Sequence, residues 1–183
     1  MKILVVFLVF WINFAQSAQR SARKFYPLKW DNCPMKNLPA KAYMNAPESF
    51  NKEMNVSGTL DVSEEIAGDI VFILETNKCT LNMKTCEKFT TLNIRDFCDR
   101  FTDKNQFFYE ALASVQPEFK CPIKAGNYTM FPTIVDLSVT NMFPLDGYVW
   151  VASFKFISIT NKGKTKKIVF CMNIEIKVVR EKI

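Results

Sequence analysis

GYVWVASFKFISIT (147–160) and KIVFCMNIEIKVV (167–179) decide the fold. In the first stretch Tyr148, Trp150, Ala152, Phe154 and Phe156 share one face of an extended chain. In the second, Ile168, Phe170, Met172, Ile174, Ile176 and Val178 share one face, and Asn173, Glu175 and Lys177 lie on the other. Side chains of a strand alternate between faces, so this pattern predicts two antiparallel strands. Thr160-Asn161-Lys162-Gly163-Lys164 supplies the turn between them. Upstream, MNVSGTLDVS (54–63) alternates in the same way. GDIVFILET (68–76) is apolar on both faces, as in a strand buried on both sides or one lining a cavity. Between Ile94 and Val115 the spacing of Phe97, Phe101, Phe108 and Leu112 is roughly helical, and Pro117 ends it. The expectation is six to eight antiparallel strands with one short helical excursion: a mainly β protein, built as a sandwich or a cup.

The N-terminus sets the compartment. MKILVVFLVFWINFAQSAQR has one lysine, an apolar run from Ile3 to Trp11, and small residues at Ala15, Ser17 and Ala18. That is the layout of a secretory signal peptide over 1–18, leaving 19–183 as a single domain outside the cytosol. A signal anchor is the alternative, but the run falls short of the roughly 20 residues a span needs. Six cysteines (Cys33, Cys79, Cys86, Cys98, Cys121 and Cys171) then read as three disulfides, with connectivity left open by the count alone. Cys79 and Cys86 enclose only TLNMKT, a natural small loop, and no spacing suits zinc. Two sequons, Asn55-Val56-Ser57 and Asn127-Tyr128-Thr129, are glycosylation candidates on that route. In CPIKAGNYTMFP (121–132), Cys121 anchors the end of the excursion, Gly126 turns the chain and a strand follows.

The chain has no histidine, which removes Ser-His-Asp and Cys-His catalysis and histidine metal sites. It has no Gly-x-Ser-x-Gly elbow either, so no enzyme, metal or cofactor is expected. Glu64-Glu65 read as solvated turn residues. The net charge of +6 is dispersed except at Lys162, Lys164, Lys166 and Lys167. That basic tip lacks interleaved aromatics, so nucleic acid is not expected; it suits a solvated hairpin end or mild attraction to anionic lipid.

Several motifs together carry a resemblance. Trp30-Asp31-Asn32-Cys33, the loop Cys79-TLNMKT-Cys86, Phe97-Cys98-Asp99, Cys121-Pro122 with Gly126 and Tyr128, and the closing hairpin with its cysteine resemble the ganglioside activator family, over about Phe25 to Val179. The chain is also similar to insect CheB-type chemosensory proteins and, more loosely, to ML-like lipid-recognition proteins. The resemblance implies the pairing Cys33–Cys171, Cys79–Cys86 and Cys98–Cys121. A further activator bridge has no counterpart, because Gln116-Pro117-Glu118-Phe119-Lys120 stands in its place. It also implies a β-cup whose apolar cavity binds lipid, and a secreted (alternatively lysosomal) protein. Such a protein would carry a lipid or other hydrophobic small molecule, touch membranes transiently, and present its ligand to a hydrolase or receptor. A recognition module for a receptor or microbial lipid is the alternative.

The implied lipid-binding residues fall in three groups. Phe72, Leu74, Trp150, Phe154 and Phe156 would line the cavity, though the same stripe would serve as ordinary core. Met142, Phe143 and Leu145, in NMFPLDGYVW (141–150), would form an apolar flap at the mouth, unless that loop packs back on the core. Phe107 and Phe108, with Tyr109, are a second rim candidate or an ordinary buried helix face.

Overall fold

The computed structural model describes residues 21–106, 108–160 and 165–182. The expected signal peptide, Phe107, and Asn161, Lys162, Gly163 and Lys164 of the hairpin tip lie outside them. The chain is mainly β and every strand pairing is antiparallel. The strands are β1 (Ser21–Asn32), β2 (Ala40–Asn45), β3 (Glu53–Val62), β4 (Asp69–Cys79), β5 (Cys86–Ile94), β6 (Val115–Gln116), β7 (Gly126–Asp136), β8 (Tyr148–Thr160) and β9 (Thr165–Lys182). They form a five-stranded sheet in the order β1-β9-β8-β4-β5 and a four-stranded sheet in the order β2-β3-β7-β6. The core lies between the sheets, as in an open sandwich or cup.

The β8–β9 hairpin pairs Tyr148 with Val178 and Thr160 with Thr165 at its two ends. Strict alternation breaks once. Phe156 faces Phe170 while Ile157 faces Ile168, so Val169 is the extra residue of a bulge. Val169 therefore joins the buried face at 3% exposure, where unbroken alternation would place Ile168. Beside this hairpin in the same sheet, Phe72 of β4 stacks on Phe97 and meets Phe154 and Phe156 in tilted contacts.

The excursion is two short pieces, not one helix. A 3-10 turn spans Phe97–Arg100, and a helix, α1, spans only Tyr109–Ala113. Asp103 interrupts it, because its carboxylate accepts from Asn105 N–H at 3.0 Å and Gln106 Nε2 at 2.7 Å, closing a local turn. The apolar spacing still does its work: Phe97 and Phe101 are buried, and Phe108 and Leu112 pack on the same core.

Three disulfides brace the sandwich: Cys33–Cys171, Cys79–Cys86 and Cys98–Cys121, the connectivity that the resemblance implies. The first joins the end of β1 to the middle of β9. The third ties the excursion to the segment before β7. Asn32 closes one edge between the sheets by mimicking a strand neighbour. Its Nδ2 donates to Ala42 O at 2.8 Å, and Ala42 N–H donates to its Oδ1 at 3.0 Å. Glu64 and Glu65 make exposed ion pairs with Lys167 and Lys124, which contribute little to stability.

Candidate functional site

The facing strands do not fill the space between them. A cavity of about 400 Å³ lies there, within the usual size of small-ligand sites. Its wall on the five-stranded sheet includes Trp30, Ala152, Phe154, Phe156, Phe170 and Met172. The opposite wall comes from β2, β3 and β7, including Ala42, Met54, Val56, Leu60 and Met130. Phe108, Leu112 and Phe119 of the crossover contribute as well. Small residues make room: Ala42 and Ala152 carry one methyl each. At Gly58 a Cβ would stand 2.5 Å from Tyr43 O, so only glycine lets β2 approach β3 that closely.

Among the described residues no charged side chain lines this space. The Tyr128 hydroxyl is already engaged, donating to Lys124 O at 2.9 Å. Thr59 belongs to the lining but is exposed. Among the described residues no cluster of three or more Cys, Asp or Glu side chains could hold a metal ion. No helix among them is long and apolar enough to cross a membrane.

Phe154, Phe156 and Phe108 stand on the cavity wall. Phe72 and Leu74 do not: Phe72 is buried at 6% exposure under the Phe97 turn, and Leu74 packs beside it in the main cluster. Trp150 shares a face with Phe154, yet it sits beyond the cavity end. Phe89 meets it edge-on at 4.9 Å, and its Nε1 donates to Leu145 O at 2.9 Å. Phe89 is the extra residue of a bulge between β4 and β5, which no alternation rule reveals.

The 141–150 segment divides. Met142 ends a 3-10 turn over Ser138–Met142, and Met142 and Phe143 are 75% and 44% exposed. Leu145 turns inward against the cluster around Phe25 and Phe50. Gly147, at φ +83°, re-enters β8 with its N–H on Val178 O at 2.8 Å. Arg23 holds the whole loop. Its Nε and Nη2 donate to the two Asp146 carboxylate oxygens, both at 2.9 Å, and Nη1 and Nη2 also reach Thr140 O and Phe143 O. Arg180 Nε adds a bond to Asp146 at 3.0 Å. A planar fork of donors suits this task, whereas lysine would not.

The Arg23 bonds, more than the charges, hold the Asp146 pKa down from 3.8 to about 2. A folded pKa below the unfolded one stabilises above the unfolded value, and the contribution is lost as pH falls through the folded value. Asp146→Asn is therefore expected to cost about 1–2 kcal/mol at pH 6, allowing for partial solvent screening. That gap should close between about pH 4 and 2. Urea unfolding of both proteins at pH 6, 3 and 2 measures it; a gap that persists at pH 2 rules out the ion pair as its source.

No family model matches the chain, and no curated protein matches it. Among solved structures, the solution structure of R. palustris CsgH aligns with a TM-score of 0.21 and 8% identity, over 78% of this chain and 91% of that one. A score so low carries no statement about fold or function.

Proposed function

We propose that this chain is a secreted lipid-binding or lipid-transfer protein, without catalytic activity of its own, that holds one acyl or hydrocarbon chain between its sheets. The observation that carries the reading is the apolar cavity of about 400 Å³, on whose wall no described residue places a charged side chain. A methylene takes about the room of a water molecule, ~30 Å³, so the space suits a chain of about a dozen carbons. Burial at ~0.8 kcal/mol per methylene offers on the order of 10 kcal/mol gross, before the entropy of association. Three disulfides fit an oxidising compartment, and the sequons at Asn55 and Asn127 are exposed on strands of one sheet. The pinned loop, with Met142 and Phe143 turned outward, supports transient contact with a membrane or a receptor during loading and release. The same exposed pair favours the second reading, a module that recognises a receptor or microbial lipid.

Native mass spectrometry of protein secreted from a eukaryotic host, before and after organic extraction, tests the proposal. An extractable acyl or hydrocarbon mass is the expected result. A bare polypeptide that also fails to take up offered lipids would end the carrier reading and leave the receptor reading to be pursued.

A further inference from the structure

Methionine is unevenly placed in this fold. Among the described residues Met35, Met83 and Met142 are exposed, and every other methionine (Met44, Met54, Met130 and Met172) stands on the cavity wall. Two of them share a row with Gly58. Met44 of β2 faces Gly58 of β3, and Gly58 faces Met130 of β7. Residues directly opposite in a sheet point to the same side, so two long thioethers flank a position with no side chain. That slot is in use. A Cβ at Gly58 would stand 2.9 Å from Met44 Sδ, so the sulfur lies against the glycine. Met130 packs on both hydrophobic clusters, the one around Phe72 and the one around Phe25, and so stands where they adjoin. Methionine is unbranched, with three soft torsions and a polarizable sulfur, and refills an irregular space at little cost. A β-branched residue in the same row would be stiff at χ1. Because the wall is apolar, chain length and shape are what it can read.

We propose that Met44 and Met130 are the specificity-determining residues of the cavity, an adjustable floor that lets one site enclose alkyl chains of about ten to about sixteen carbons. This rests on the carrier reading above and deepens it. With rigid walls, a space of about 400 Å³ would stop at about a dozen carbons, at ~30 Å³ per methylene. Under a short chain the thioethers lie toward Gly58 and close the space. Under a longer one they turn aside, and Gly58 leaves the chain a place against the β3 backbone. Each methylene enclosed tightens binding about fourfold. The range is therefore read as the length at which that gain stops.

The test measures straight 1-alkanols of eight to sixteen carbons on the wild type and on Met44→Ile/Met130→Ile, by displacement of N-phenyl-1-naphthylamine fluorescence. Isoleucine keeps the side-chain volume, suits a strand and is stiff at χ1. The two proteins are expected to agree within about twofold at ten carbons and to part beyond twelve. The variant should bind the sixteen-carbon alcohol about tenfold or more weakly, as the loss of two enclosed methylenes requires. Comparing proteins at one chain length cancels the unequal water solubility of the ligands. Profiles that stop at the same length, or a loss equal at every length, would overturn the adjustable floor and leave the carrier reading intact. Failure of the wild type to take up any of the alcohols would overturn both. Should the double variant not fold, wild type labelled with 13C at the methionine methyls replaces it. Resonances of the wall methionines should then differ between the ten- and sixteen-carbon complexes, while those of exposed Met35 and Met83 stay put as controls. Wall resonances that coincide in the two complexes would overturn the proposal.

Discussion

Replacing Cys33 and Cys171 together by alanine will lower the free energy of unfolding by about 5 kcal/mol, the largest effect of any pair in the chain. The bridge spans 138 residues, against 23 for Cys98–Cys121 and 7 for Cys79–Cys86. If the constraint on the unfolded chain is the source, the three double substitutions should grade as about 5, 3 and 2 kcal/mol. For a domain whose whole stability is on the order of 5–15 kcal/mol, the first loss leaves little. Cys171 is 1% exposed and sits mid-strand in β9, so truncation there also opens a small void, which adds to the loss. Denaturant unfolding of the three variants measures the series. Equal losses from the shortest and longest loops would show that local packing, not chain entropy, sets the effect.

Filling the cavity should separate binding from stability. Ala42 and Ala152 stand on opposite walls. Changing both to phenylalanine adds about a dozen aromatic carbons, which at close packing take up about half of the available room. A ligand that loses even four methylene positions loses ~3 kcal/mol. Uptake of a twelve- to fourteen-carbon chain should fall at least a hundredfold in the double variant, while the ligand-free melting temperature holds or rises. Overpacking would lower it, so the single substitutions are measured alongside. Unchanged uptake by a folded double variant would place the ligand outside this cavity.

The β8–β9 hairpin is legible in the sequence because each of its residues faces one way for a local reason. Tyr148 through Phe156 alternate without interruption, and three of that face, Ala152, Phe154 and Phe156, reach the cavity. What local pattern does not carry is which distant strand stands opposite. The second wall, from Ala42, Met54, Val56 and Met130, follows from pairings of β3 with β2 and β7. None of these residues differs in type from ordinary core. Phe72 shows the converse: on alternation it is equivalent to Phe154, but the Phe97 turn covers it. The bulges at Phe89 and Val169 were equally hidden, since one extra residue leaves no mark in an apolar run. Trp30 was visible only as part of a motif. Its place on the cavity wall is a property of the folded surroundings.

The strand order has a consequence for how this protein is made. In the five-stranded sheet β9, the last strand in the chain, lies between β1, the first, and β8. During synthesis, at about 5–20 residues per second, β1 must wait through seven other strands before its sheet neighbour emerges, with only the Phe25–Phe50 bridge and the Asn32 clasp on Ala42 open to it earlier. Cys33 waits with it for Cys171, so the earliest-made strand is secured by the latest-made one. Until then a wall of the cavity is missing, and the four-stranded sheet exposes its apolar face. Three of the pairings among the described residues, β1–β9, β3–β7 and β4–β8, join strands far apart in sequence, which slows folding relative to a chain of hairpins alone. Its interior closes only after β9 has emerged, and that is the earliest moment at which the cavity can enclose anything.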